Sequence, residues 1–204
     1  MGLGTIRDSL AAIKYQVFDE KGIALEKLLE ALRADFEGYE RLRLTLLNKA
    51  PKYGNDDEYV DQIMKAVFEA YYSAIDGRPN MKGGTYRINL LPTTVHVYFG
   101  KVVGATPDGR KSGEPLSEGV SPVQGADTKG PTAVIKSVSK IDHVKTGGTL
   151  LNQKFAPELL ADEEGLSKLA HLVRTYFKLD GHHIQFNVVD ANTLREAEKH
   201  PEKH

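Results

Sequence analysis

Thr149-Leu-Leu-Asn-Gln-Lys-Phe155 and His183-Ile-Gln-Phe-Asn-Val-Val189 bracket a run in which Leu166, Leu169, Leu172, Val173 and Tyr176 recur at steps of three and four. The two outer stretches read as extended, and the spacing between them predicts a helix. Strands separated by a helix of this length form right-handed crossover units, which make the strands they join parallel. The fold class is therefore α/β, with a largely parallel sheet or barrel. A last helix is expected from about Thr193, capped by Asn192, so that residues 149–204 alternate strand and helix.

Residues 78–148, upstream of this unit, are different in character. Twelve of the nineteen glycines fall between Gly77 and Gly148, which marks a loop-rich region. Within it residues 86–99 (YRINLLPTTVHVYF) are dense in β-branched and aromatic side chains and read as extended, with Pro92 suggesting an edge, a bulge or a kink. Gly104 to Arg110 (GATPDGR) is turn chemistry. Residues 132–140 form a short apolar segment, helix or strand. Residues 1–77 are helical by period. Leu3, Ile6, Leu10, Ile13 and Val17 predict a helix over 5–20 with Thr5 as a cap, and Leu25 to Phe36 predict a second. Leu42, Leu46 and Leu47 predict a third that ends at Pro51. Tyr59 to Ile75 predict a long fourth helix, entered through an Asn or Asp cap at 55–57 and closed by Gly77.

With 204 residues, 40% hydrophobic and 27% charged, the chain can bury a core, which excludes disorder, collagen and coiled coil. Lys plus Arg number 27 against 28 Asp plus Glu, so no bulk field draws it to nucleic acid or anionic lipid. No stretch approaches the ~20 apolar residues of a membrane helix, and the N-terminus lacks the pattern of a signal peptide. A cytoplasmic protein is expected. The absence of cysteine excludes disulfides, thiolate metal ligands and a cysteine nucleophile supplied by this chain.

Seven histidines raise the question of a metal, but His96, His143 and His171 fall on separate elements. His182 and His183 are adjacent and point to opposite faces of a regular strand. His200 and His204 read as solvated helix-end residues, so no metal site is assigned. The paired glycines lie outside any phosphate-binding motif, the carboxylate clusters sit at helix starts, and no Gly-x-Ser-x-Gly elbow occurs. One stretch remains chemically suggestive. In residues 89–96, Leu91, Thr93 and His96 surround a proline in an apolar run, as at a strand end lining a pocket; an edge strand with a bulge accounts for these residues equally well.

Several motifs occur together in one order: YGNDD at 53–57, LPTTVHVYFG at 91–100, GATPDGRKSG at 104–113, EPLSEGVSPVQG at 114–125 and GHHIQFNVV at 181–189. Over essentially the whole chain this resembles the C-terminal part of glycyl radical enzymes of the pyruvate formate-lyase type, and the subgroup of cobalamin-independent glycerol and propanediol dehydratases in particular. The resemblance implies part of the second half of a ten-stranded β/α barrel. It implies a glycyl radical installed by an S-adenosylmethionine-dependent iron–sulfur activating enzyme, a thiyl radical on a barrel-loop cysteine, and a glutamate that helps water leave. Neither the Gly-Cys-x-Glu loop nor the Arg-Val-x-Gly-Tyr glycyl motif is in this sequence.

The expectation is therefore a fragment of a C–O lyase that dehydrates a small polyol, without catalytic residues or a bound cofactor of its own and inactive alone. A formate acyltransferase and a non-catalytic docking subunit are the alternatives. The expected partners are a small-molecule substrate, the activating enzyme and a second copy of the protein. By the same resemblance Leu91 and Thr93 are expected in the wall of the substrate pocket, with Thr94 and His96 as secondary candidates. The 104–113 turn and the entry at Gly181, His182 and His183 are expected to be scaffolding.

Overall fold

The computed structural model describes residues 2–91 and 94–203. Strand β1 (Leu150–Phe155) and strand β2 (His183–Val188) pair in parallel, with Leu150 opposite His183 and Phe155 opposite Val188. Helix α7 (Glu163–Lys178) is the crossover between them, capped by the Asp162 carboxylate, which accepts from the Gly165 N–H. The parallel unit expected for residues 149–189 is thus present. Helix α8 (Ala191–Lys199) follows, but its cap is Asp190, which accepts from the backbone N–H groups of Asn192 and Thr193. Asn192 lies inside the first turn, displaced by an equally good capping residue two positions earlier.

Helix α1 (Leu3–Ala12) runs directly into a π-helical stretch, Ile13–Asp19, and is followed by α2 (Leu25–Arg33), α3 (Glu40–Lys49) and α4 (Glu58–Ile75). Asp57 caps α4 by accepting from the Tyr59 N–H. Two departures occur in α1. Ile6 and Leu10 of the apolar stripe are 47% and 41% exposed, whereas Thr5, Arg7, Asp8 and Ser9 on the other face are buried. Thr5 is not a cap: its hydroxyl accepts from the Ser117 N–H, and its own N–H donates to the Ser117 hydroxyl. Thr5 and Asp8 find partners in the interior, which a helical period cannot register, while Ser9 Oγ and the Arg7 Nη atoms are buried without a hydrogen bond.

Two apolar clusters result. The larger joins α1, α4 and the sheet through Tyr53, Val60, Met64, Phe68, Ile88, Leu90, Ile135, Leu151 and Tyr176; the smaller is formed by Leu28, Phe36, Leu46 and neighbours. Residues 132–140 are helical, within α6 (Pro131–Val138).

The extended run expected over 86–99 is corrected. Leu90 bridges to Thr149 in parallel, and the Leu90 N–H donates to the Gly148 carbonyl. The next N–H, that of Leu91, turns away from the ladder and donates to Asn89 Oδ1. From Val95 the chain is helical, forming α5 (Val95–Val102), despite its β-branched and aromatic composition. Gly100 shows why. A Cβ there would stand 2.3 Å from the Glu114 carbonyl oxygen, so α5 is held by close backbone packing that overrides intrinsic preference.

The track beside β1 is then resumed by residues 119–121, where the Val120 N–H donates to the Leu150 carbonyl and the Ser121 hydroxyl accepts from the Asn152 N–H. One strand position is therefore filled by two pieces of chain, with α5 and the 104–113 turn as an excursion between them. Arg110 pins that excursion by donating to the carbonyls of Val103, Gly104, Lys111 and Glu114.

Gly119 sits where the track is rejoined, at φ +48°, and a Cβ there would lie 2.2 Å from the Leu150 carbonyl oxygen. Gly119→Ala is expected to destabilise the fold by about 3 kcal/mol, combining overpacking with left-handed strain. Gly125→Ala, at φ +79° with open space around it, carries only the strain, about 1 kcal/mol. Urea unfolding of the two variants checks the difference; equal midpoints would show that the close approach does not govern this junction.

Candidate functional site

Alternation along β1 and β2 sorts their side chains onto two faces. Leu151, Gln153 and Ile184 turn toward the helices, where Leu151 and Gln153 are buried and Ile184 packs on the main core. Leu150, Asn152 and Lys154 share the opposite face with His183, Gln185 and Asn187 through the register. That second face is rich in neutral hydrogen-bonding groups, and His183, Gln185 and Lys154 are exposed on it. The Asn152 Oδ1 is buried without a hydrogen-bond partner, and the Lys154 ammonium donates to Gln124 Oε1 at 2.7 Å.

Leu91 lies at the head of this face. A Cβ on Gly148 would fall 2.0 Å from Leu91 Cδ1 and 3.5 Å from His182 Cε1, so Leu91 occupies the notch the missing side chain leaves, with His182 beside it. Behind the notch stands Thr149, fully buried. Its hydroxyl lies 2.7 Å from His143 Nδ1, and the other His143 nitrogen is 3.1 Å from the Val138 carbonyl. A carbonyl only accepts, so Nε2 of His143 carries the proton and Nδ1 accepts from Thr149. Burial pushes the His143 pKa down and keeps the ring neutral.

The Tyr176 ring meets His143 edge to face at 6.0 Å and lies under Gly181, where a Cβ would be 2.4 Å from its Cζ. Gly181 is thus packed closely on Tyr176. His182 and His183, placed on opposite faces by a regular strand, instead have ring centroids 4.3 Å apart. The ladder begins only at His183, so His182 is not bound by its alternation.

The candidate wall residues that are described, Leu91, Thr94 and His96, are not gathered in one place. Thr93 lies outside the described residues. Thr94 is exposed immediately before α5. His96, on α5, faces a different cleft of about 740 Å³, shared with Asp8, Lys52, Asp108 and Glu118, whose carboxylate is 3.9 Å from His96 Nε2. A third, apolar cleft of about 910 Å³ lies between α6 and α7 on the helix side of the sheet, away from Leu91. Among the described residues no group of three or more His, Asp or Glu side chains is arranged to hold a metal ion.

Residues 1–100 match a family model described as pyruvate formate lyase-like, and residues 116–204 match one described as glycine radical. Trans-4-hydroxy-L-proline dehydratase of Clostridioides difficile is 59% identical over 99% of this chain and 26% of its own. The crystal structure of hydroxyproline dehydratase from the same organism, with trans-4-hydroxy-L-proline bound, superposes with a TM-score of 0.96 over 100% of this chain and 26% of that one. The glycerol-bound B12-independent glycerol dehydratase of Clostridium butyricum does so at 0.92 with 46% identity, covering 99% and 26%. Isethionate sulfite-lyase of Bilophila wadsworthia is 44% identical over 100% of this chain and 25% of its own.

The fold defines a parallel α/β segment with one face of its sheet left polar. The chain belongs to the glycyl radical enzyme family, and its relatives are dehydratases and lyases. It spans about a quarter of the length of the curated relatives it matches. No helix among the described residues is long and apolar enough to cross a membrane.

Sequence reasoning missed the cleft beside His96. Asp8 has no exposed surface, and burial pushes its pKa up to about 7, against the opposing pull of Lys52, the Tyr53 N–H and Arg7. The unfolded carboxyl ionises near 3.8, so between pH 4 and 7 the folded state holds the extra proton and stability falls as pH rises. The full penalty, up to about 4 kcal/mol, is reached above pH 7. Asp8→Asn is therefore expected to gain stability over the native chain at pH 8 relative to pH 5. Urea titrations at both pH values test this, and a pH-independent difference would remove Asp8 as the cause.

Proposed function

We propose that this chain is the part of a glycyl radical dehydratase that supplies one wall of the pocket, and that the whole protein removes water from a hydroxylated small molecule. The observation that carries this reading is the 59% identity over 99% of the chain to trans-4-hydroxy-L-proline dehydratase. It favours a cyclic hydroxy amino acid over the polyol expected from sequence, since the glycerol dehydratase stands at 46%. In this reading the sheet is part of the second half of a ten-stranded β/α barrel, which supplies the cover for the polar face of β1 and β2.

Leu91 forms apolar wall against the carbon skeleton, and Thr93, Thr94 and His96 are its further candidates. The family's radical chemistry supplies hydrogen abstraction; this chain holds no cysteine, so its residues bind, orient and exclude water, and it has no turnover alone. An activating enzyme that uses S-adenosylmethionine and an iron–sulfur cluster, and a homodimer in the cytoplasm, complete the proposal. Acyl transfer is the second reading, favoured only by the pyruvate formate lyase-like description of the model over residues 1–100.

The test is anaerobic assay of the whole protein with its activating enzyme, following trans-4-hydroxy-L-proline, glycerol and pyruvate plus coenzyme A by NMR. Water loss from hydroxyproline at a kcat/KM at least tenfold above that for glycerol is expected. Formate release from pyruvate with neither alcohol consumed would replace the dehydratase reading by acyl transfer. Leu91→Ala is expected to raise KM about tenfold or more, from loss of buried apolar contact.

A further inference from the structure

Leu91 has the His182 ring near it and the His183 ring stands beside that one, and one residue determines what both can offer. The Thr149 backbone N–H lies 3.4 Å from His182 Nδ1. An N–H only donates, so Nδ1 of His182 accepts and its proton sits on Nε2. The Thr149 carbonyl, which only accepts, lies 3.2 Å from Nδ1 of His183 and also takes the His183 backbone N–H at 3.2 Å. His183 therefore carries its proton on Nδ1, and its Nε2 is an acceptor.

Two adjacent imidazoles are thus held in opposite tautomers by the two ends of a single peptide residue. Their rings stand nearly perpendicular, 70° apart with centroids at 4.3 Å, and both residues are exposed. His182 presents an N–H donor and His183 a nitrogen acceptor. The frame beneath them is rigid, because Thr149 is tied to His143 through its hydroxyl and the Tyr176 hydroxyl donates to the His183 carbonyl at 3.4 Å.

We propose that His182 and His183 form a donor–acceptor pair that recognises a hydroxyl group of the substrate beside the apolar surface of Leu91. A hydroxyl both donates and accepts, so it satisfies both rings at once, whereas a carboxylate meets only the donor and an ammonium only the acceptor. Thr149 is the positioning residue of the pair. The assignment rests on the reading of Leu91 as pocket wall, and it replaces the purely scaffolding role expected for this entry.

Calorimetric titration of the whole protein, left unactivated so that no turnover occurs, with trans-4-hydroxy-L-proline and with L-proline separates the two ideas. The native protein is expected to bind the hydroxylated ligand at least tenfold more tightly. His182→Phe and His183→Phe each reduce that ratio about five- to tenfold, the scale of one hydrogen bond. His182→Gln and His183→Gln, which keep a polar atom near the Nε2 position, retain it within about threefold. Both rings are exposed, so melting temperatures are expected to stay close to native. Native discrimination that survives in both Phe variants, or that the Gln variants lose as fully as the Phe variants, overturns the pair and leaves the wall intact. A native protein that binds neither ligand overturns the substrate reading, and the pair with it.

Discussion

A parallel pair of strands puts every helix of its crossover connection on one side and leaves the other side to whatever else the protein provides. In this chain Leu151 and Ile184 seal the helical side against Tyr176 and the α4 core. The other side carries Asn152, Gln185, Asn187 and His183 together with Leu150 and Lys154, too polar to be a core. Amides and imidazoles of this kind suit a place that is closed off yet must hold something polar. The one-sided burial marks this face as the candidate site, and in the proposed function the rest of the architecture delivers groups to it.

Delivery depends on the broken strand. If residues 88–121 ran as a single strand beside β1, the neighbours of Leu150 would be continuous backbone and no side chain could enter from the head of the sheet. Instead the chain pairs as far as Leu90, departs through α5 and returns at Gly119. The excursion is costly in ordered backbone, and the four carbonyl bonds of Arg110 are what make it a fixed shape. Charge-assisted bonds to carbonyls need no carboxylate partner, so the guanidinium can be buried without a salt bridge. This is also why GATPDGR resembles nothing more than a turn when read alone: the chemistry of Arg110 is directed at its own loop.

What the sequence disclosed and what it concealed follow the same division. Elements whose identity rests on local period were legible: β1, α7, β2 and α4 lie where hydrophobic spacing and Asp or Asn caps put them. Elements whose identity rests on contacts distant in sequence were not. Val95, Val97 and Tyr98 have strand-forming side chains and became helix because Gly100 packs on Glu114. Arg7 and Asp8 turned inward although Ile6 and Leu10 are apolar, because Tyr53 offers a ring 3.2 Å from the Arg7 guanidinium carbon and an N–H for Asp8. Among the candidate wall residues, Leu91 is singled out in the sequence by the proline that follows it, while its seat in the notch at Gly148 and the contacts of Thr149 are not, since a glycine and a threonine carry no signal until their neighbours are known.

The histidines sharpen this point. Counted along the chain they suggest a metal, and their spacing dismisses one; neither step says what a histidine without a metal is for. In the fold, Thr149 gives His143 a hydroxyl, His182 an N–H and His183 a carbonyl. Three imidazoles that would be interchangeable in water become an inert structural ring, a donor and an acceptor. The distinction comes from which atom of Thr149 each one meets, and for His182 and His183 the backbone in this register is enough to make it. Recognition at such a site is written in the hydrogen positions that the peptide backbone enforces, one level below the side-chain identities that a sequence records.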